Sequence, residues 1–358
     1  MGGLSLLRQT AAGAAQLAAS TRLLDLLERS DGDERRILRV VTYHRILPAG
    51  DGTDYPGVVS TTPEGFERQV RALASRFRVI SLEEAVSALR GRASLPPRSL
   101  LFTFDDAYRD FATHAWPVLR SHGLPAVLFV PTAYPGRPER PFWWDRLYRA
   151  FARARREDSL PSAAGMLRLR TPAERERSFR RVRDRVKELP HREAMELVAR
   201  VCGALEPSPA VGCVLDWDEL RALASEGVAL CAHTRTHPLL DRIGPDEARA
   251  EVAGSLADLR REVGAALPVL AYPGGRYDRT ALRVVRELGI EVAFTTHRGL
   301  NDLRSVDPLQ LRRVPVGQRT TEALLRAQLL RVAAFAGPPR LAGPGRRDRG
   351  LRTRPAEG

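Results

Sequence analysis

The chain has 358 residues, 43% hydrophobic and 28% charged, which is enough to bury one large core or two smaller ones and too apolar for a disordered chain. Its formal net charge is +14 and nearly all of its basic residues are arginine, so it suits an anionic partner such as an acidic glycan, a lipid pyrophosphate or an anionic membrane surface, while no zinc-finger, RNP or helix-turn-helix signature argues for nucleic acid. Cys202, Cys213 and Cys231 lack paired CxxC spacing and read as small buried hydrophobes rather than a disulfide or zinc–thiolate framework, and no run of about twenty apolar residues predicts a transmembrane helix.

Residues 1–36 read as an amphipathic helix. Leu4, Leu7, Ala11, Ala15, Leu17, Leu24 and Leu27 share its apolar face, and Arg8 and Gln9 break the stretch an export signal would need. A docking helix is therefore expected, with a cytoplasmic or peripheral-membrane location. Eight short runs read as buried strands: Ile37–Tyr43, Phe77–Ser81, Leu100–Phe104, Val127–Val130, Val228–Ala232, Val269–Tyr272, Val292–Thr295 and Leu311–Val316. They are rich in Val, Ile, Leu and Phe without strict alternation, as in a parallel sheet covered on both faces. Helices fit between them. Thr62 caps one with Pro63 at its first position, Ser81 and Glu84 form a capping box, and Gly289 stops another. The alternation defines an α/β barrel or open sheet in two pieces, 37–137 and 213–318. Residues 138–212 are a charged helical insertion, either a solvated cap or a lid that brings arginines to an anionic substrate. A C-terminal helix is expected over 319–336, and a basic tail over 337–358 that is too rich in Pro, Gly and Arg to fold.

Three strand ends carry chemistry. Leu100–Phe104 runs into Asp105-Asp106, two carboxylates whose burial is costly unless something pairs with them. Adjacent residues leaving a strand point in opposite directions, so the two can serve different partners. Val228–Ala232 runs into His233-Thr234-Arg235-Thr236-His237-Pro238, with two histidines at a spacing that can close on one ion. Leu270-Ala271 leads to Tyr272-Pro273-Gly274-Gly275-Arg276, whose glycines permit close backbone approach to a ligand.

In this order the three motifs resemble the polysaccharide deacetylase family, also called the NodB-homology or carbohydrate esterase 4 family. Tyr43-His44-Arg45 and Ala293-Phe294-Thr295-Thr296 resemble its first and late strands. The resemblance spans about Leu38 to Val316 outside the insertion. It implies a distorted (β/α)7 barrel, a divalent metal (zinc by presumption) on Asp106, His233 and His237, and Asp105 as general base. It further implies deacetylation of N-acetylated sugars in a polysaccharide or glycolipid. Tyr108, Trp144, Asp145, Tyr272, Pro273, Gly274 and Arg276 are then candidates for the substrate wall.

Two family elements are missing. The Arg-x-Pro-Tyr element that orients the base is replaced by Pro141-Phe142-Trp143-Trp144-Asp145-Arg146, where the tryptophans could stack on sugar or anchor the insertion and Asp145 or Arg146 could orient Asp105. The Leu-x-x-His element that supplies the general acid is also absent: Leu309–Pro315 reads LQLRRVP. His44 and His297 are substitutes for the acid, and Arg313 could instead hold a carboxylate. Two other readings stay open, an O-deacetylase or deformylase of a lipid-linked sugar, and a non-catalytic glycan-binding protein that keeps the barrel.

Overall fold

A computed structural model describes residues 23–28, 30, 35–48, 50, 54–154, 159–205 and 213–331. Most of the amphipathic start and the whole basic tail lie outside these residues.

Seven parallel strands close a barrel. In spatial order they are β1 (Ile37–Tyr43), β5 (Ser99–Phe104), β6 (Val127–Val130), β7 (Ala229–Ala232), β8 (Val269–Ala271), β9 (Val292–Arg298) and β11 (Leu311–Pro315), which returns to β1. The expected distorted (β/α)7 barrel is thus present. Each of the eight expected runs holds a strand, Phe77–Ser81 only as the two-residue β4 (Arg78–Val79) beside β5. Three very short strands have no apolar run to announce them: β2 (Arg45–Ile46), β3 (Val59–Thr61) and β10 (Asn301–Asp302).

The continuous apolar runs follow from two-sided burial. Val41, Tyr43, Phe102, Phe104, Leu128 and Val130 face the surrounding helices, while Leu38, Val40, Leu101, Val127, Phe129, Cys231, Phe294 and Leu311 fill the barrel. Helix α2 (Leu82–Leu89), started by the Ser81–Glu84 capping box, closes the barrel at the strands' N-terminal end with Leu82, Ala85 and Ala88. Chemistry is left to the opposite mouth. Helix α1 (Pro63–Ala74) begins at the Thr62 cap as expected.

The insertion leaves the barrel between β6 and β7. It carries α3 (Trp143–Ala152), α4 (Pro172–Glu188) and α5 (His191–Ala204), with a short bridge between Leu160 and Leu167 that the helical pattern did not announce. Its apolar face, including Phe151, Phe179, Val182 and Val198, is continuous with the main core. The C-terminal helix is Glu322–Gln328. Residues 23–28 are helical, and Glu28 is tied to Arg76 and Arg326. No described helix is long and apolar enough to cross a membrane.

Candidate active site

Side chains alternate along a strand, so the barrel's inner register predicts what sits at its mouth. On β5 that register reads Leu101, Thr103, Asp105; on β7 it reads Cys231, His233; on β11 it reads Leu311, Arg313. β1 pairs Tyr43 with Phe104, which sets His44 abreast of Asp105. The polar residues at the ends of apolar strands therefore meet in one buried cluster.

Asp106 begins a sharp turn. Its φ is 74° and that of Ala107 is 50°, a left-handed conformation that side chains seldom adopt. The turn reverses the chain and aims Asp106 back at the histidines. His233 Nε2 lies 3.5 Å and His237 Nε2 3.3 Å from Asp106 Oδ1. The His loop is strained as well, with φ of 63° at Thr234 and 62° at His237. Glu251 on the following helix holds it, accepting from the backbone N–H groups of Arg235 and Thr236 and from the Thr236 hydroxyl at 2.6–2.8 Å. The motif signalled the histidines and gave no sign of this anchor fifteen residues downstream.

His233 Nδ1 donates to the Ala271 carbonyl at 2.8 Å, which leaves the Nε2 lone pair facing Asp106. Ala271 is the last residue of β8, immediately before the Tyr272–Arg276 loop. The loop must pass close to β9: a Cβ on Gly275, at φ 67°, would sit 2.1 Å from the Thr296 hydroxyl, so the second glycine of the motif is obligatory.

Asp105 is fully buried and held from outside the motif. Arg313 donates to its two carboxylate oxygens at 2.8 and 2.7 Å, and Arg313 Nε donates to the Thr295 carbonyl at 2.8 Å. Burial pushes the Asp105 carboxyl up, but the Arg313 guanidinium with His233 outweighs it and holds the group below the usual range. The same balance holds for Asp106, where burial is outweighed by the two imidazoles. Neither group considered to orient Asp105 reaches it, since Asp145 accepts from Tyr108 and Arg146 is exposed; Arg313, considered as a holder of a carboxylate, does so.

Of the two histidines considered as acid, His44 stands beside the base. Its Nε2 is 3.9 Å from Asp105 Oδ2, its side chain is 28% exposed, and its backbone N–H donates to Ser60 Oγ. His297 is not brought to the cluster. It is exposed, its ring is 6.3 Å from Tyr277, and it lines a groove with Arg36, Asp302 and Arg312. The reason is a bulge: between paired positions β11 advances from Leu311 to Arg313 while β9 advances from Phe294 to Arg298, which carries His297 out of register.

The residues expected on the substrate wall divide. Tyr108 and Asp145 are buried, and the Tyr108 hydroxyl donates to Asp145 Oδ2 at 2.8 Å while accepting from Trp144 Nε1 at 2.8 Å. Trp144 is buried too, stacked on Phe142 and set edge-on to the His237 ring at 4.9 Å. Tyr272 is buried, with its hydroxyl donating to the Leu309 carbonyl, and Pro273 is buried beside it. A Cβ on Gly274, at φ 58°, would sit 3.0 Å from the Leu239 side chain just past the His loop. Arg276 pairs with Asp241 at 2.6 Å and reaches the Lys187 carbonyl of the insertion.

Asp145 yields a pH prediction. Burial raises its carboxyl to about 6 even though the Tyr108 hydroxyl favours the charged form. A carboxyl with a raised folded pKa contributes stability that is fully present below its unfolded value, about 4, and lost as pH rises through about 6. Asp145→Asn removes that dependence. Relative to wild type its unfolding free energy is expected to gain about 2 kcal/mol between pH 4 and 7. Urea titrations across this range check it, and a pH-independent difference would refute it.

The donor set fits a divalent cation. Asp106 Oδ1 is buried with no hydrogen-bond donor among the described residues. The ligand atoms of Asp106, His233 and His237 all lie within 4.8 Å of one another. One carboxylate and two imidazoles suit zinc and leave coordination positions open.

A (β/α)7 barrel with an Asp-Asp-His-His mouth defines a class of hydrolytic enzymes. The polysaccharide deacetylase family model matches residues 92–293, and the chain belongs to that family. Solved structures with the same fold include a Streptococcus pyogenes deacetylase, PplD, in complex with acetate, at TM-score 0.56 and 18% identity, covering 83% of this chain and 99% of that one. IcaB from Ammonifex degensii has TM-score 0.55 and 20% identity over 84% of this chain and 98% of its own. The BpsB deacetylase domain from Bordetella bronchiseptica has TM-score 0.51 and 19% identity over 80% and 98%. No curated protein matches the chain in sequence.

Proposed function

We propose that the protein is a metal-dependent deacetylase that removes acetyl groups from N-acetylated sugars of a polysaccharide or glycolipid. The observation that carries this reading is the pairing of a buried donor set, Asp106, His233 and His237, with a second carboxylate, Asp105, held ready by Arg313. Family membership and the S. pyogenes relative crystallised with acetate support it.

A divalent cation held by Asp106, His233 and His237 supplies Lewis-acid polarisation of the acyl carbonyl and a more acidic water. Asp105 accepts the proton of the attacking water, its remaining lone pairs free of Arg313. The backbone N–H of Ala107 or Tyr108 donates to the developing oxyanion. His44, beside Asp105 and partly exposed, hands a proton to the departing amine. A carboxylate kept in place by a buried arginine argues against a merely glycan-binding role, which needs no base.

The test is acetate release from N-acetylglucosamine oligosaccharides by the full chain. Release is expected to stop with a chelator and return with zinc, and His44→Ala is expected to lower kcat by about 10²-fold or more while zinc stays bound. Chelator-insensitive release, or none from the zinc-loaded chain, would overturn the reading. The same site serves O-acetyl and formyl groups. The exposed Leu23, Leu26 and Leu27 of the amphipathic start favour a lipid-linked sugar as the carrier. Comparing formate with acetate release separates the acyl groups.

A further inference from the structure

The Asp106–Tyr108 turn is strained at two non-glycine residues, and strain of this kind persists only where the surroundings over-determine the backbone. The surroundings here come from the insertion, at both of its ends. At its entry, Trp144 Nε1 donates to the Tyr108 hydroxyl, which donates to Asp145, all three side chains being buried. Phe142 packs edge-on against the Tyr108 ring at 5.3 Å, and Arg45 from the barrel covers that ring at 4.6 Å. Directly after its exit, where the chain re-enters the barrel, the Arg109 N–H donates to the Cys213 carbonyl at 2.8 Å and the Leu215 N–H to the Ala107 carbonyl at 3.0 Å, so Tyr108 and Val214 form an antiparallel bridge. The same entry segment touches a second donor, since the rings of Trp144 and Phe142 lie 4.9 and 5.9 Å from that of His237.

We propose that the helical insertion is a working part of the catalytic centre: its two ends clamp the Asp106–Tyr108 turn, and Tyr108 and Asp145 are positioning residues that fix the Asp106 carboxylate and the adjacent backbone N–H groups. This goes beyond a solvated cap or a lid over the substrate. It rests on the reading of Asp106, His233 and His237 as a metal site. Tyr108 and Asp145 act through Asp106, because both side chains are buried and the Tyr108 hydroxyl is spent on Asp145 Oδ2 and Trp144 Nε1.

The test uses the full chain and zinc alone, titrated against a chromogenic chelator, alongside kcat and KM for acetate release. Tyr108→Phe keeps the ring and removes both hydrogen bonds. It is expected to weaken zinc binding about tenfold, as loss of a group that orients a metal ligand does, and to lower kcat with KM unchanged. Asp145→Ala removes the acceptor of the Tyr108 hydroxyl and is expected to weaken zinc binding as Tyr108→Phe does, and Asp145→Asn, which keeps a carbonyl acceptor, to recover most of that loss. Ser178→Ala supplies the control: it deletes a part-buried hydrogen bond to the Arg168 carbonyl elsewhere in the insertion, and is expected to leave zinc affinity and kcat unchanged. Wild-type zinc affinity and kcat in Tyr108→Phe would overturn the proposal. So would an equal loss in Ser178→Ala, which would mark a general softening of the insertion. A wild-type chain that binds no zinc would remove both the metal reading and this one. Zinc bound without acetate release would sink the deacetylase reading alone, with the affinities still deciding the clamp.

Discussion

Asp106→Ala is expected to abolish stoichiometric zinc binding and to lower kcat/KM by more than about 10³-fold, because several kcal/mol of transition-state stabilisation go with the cation. The fold should survive. Asp106 contributes no hydrogen bond from Oδ1 to the described residues, and its burial is a cost that only its neighbours offset. Removing the carboxylate relieves that cost, though it also gives up the attraction to the two imidazoles that outweighs it. Against this, alanine tolerates the φ of 74° less well than aspartate, and the change leaves a small void. The two effects oppose, so metal-free stability is expected to move by less than about 1.5 kcal/mol. The decisive contrast is thermal: zinc should raise the Tm of wild type and leave that of Asp106→Ala unchanged, since only a folded state that binds the ion is stabilised by it. A variant that kept one zinc per chain and a tenth of the activity would refute the assignment of Asp106 as a ligand.

The strands were legible because two-sided burial writes them as apolar runs. Where a strand is two residues long or lies outside the barrel, as β2 and β10 do, no run exists to read. The donor set was legible because Asp106, His233 and His237 each follow such a run, so local sequence already placed them at strand ends. Arg313 was visible only as a candidate. Its partner Asp105 lies 208 residues away, and they meet because β11 and β5 both flank β1 when the barrel closes, a fact of topology rather than of local pattern. His297 sits near the end of a strand like His44, yet a bulge in β9 turns it away. Tyr108, Trp144 and Asp145 looked like a substrate wall because aromatic and acidic residues near a motif suit that role. Their burial against one another is set by how the insertion packs, which helical periodicity does not report.

Arg313→Ala is expected to combine the largest loss of stability with a large loss of activity. Arg313 is 0% and Asp105 3% exposed, so deleting the guanidinium strands a buried carboxylate, which costs about 3–5 kcal/mol. For a chain of this length that is a fall in Tm of roughly 4–7 °C. Arg313→Lys should recover little. The planar fork donates to both Asp105 oxygens and to the Thr295 carbonyl at once, and an ammonium cannot match that geometry. The sign of the pH dependence follows from the direction of the shift. Arg313 and His233 more than offset burial and hold the Asp105 carboxyl low, so the pair stabilises above the unfolded value of about 4 and that contribution is lost as pH falls below it. The gap between variant and wild type should therefore narrow in acid. Activity should fall by about 10²-fold or more at neutral pH, because without its partner the buried carboxyl tends to hold its proton and its orientation is free. Coupling supplies the sharpest measurement. The double variant Asp105→Ala, Arg313→Ala leaves no charge stranded, so it should be more stable than Arg313→Ala although it lacks more of the native site. Urea unfolding of the three variants measures this directly. A double variant no more stable than Arg313→Ala would mean that the arginine acts through packing in the barrel mouth, and the role assigned to it in holding the base would fail.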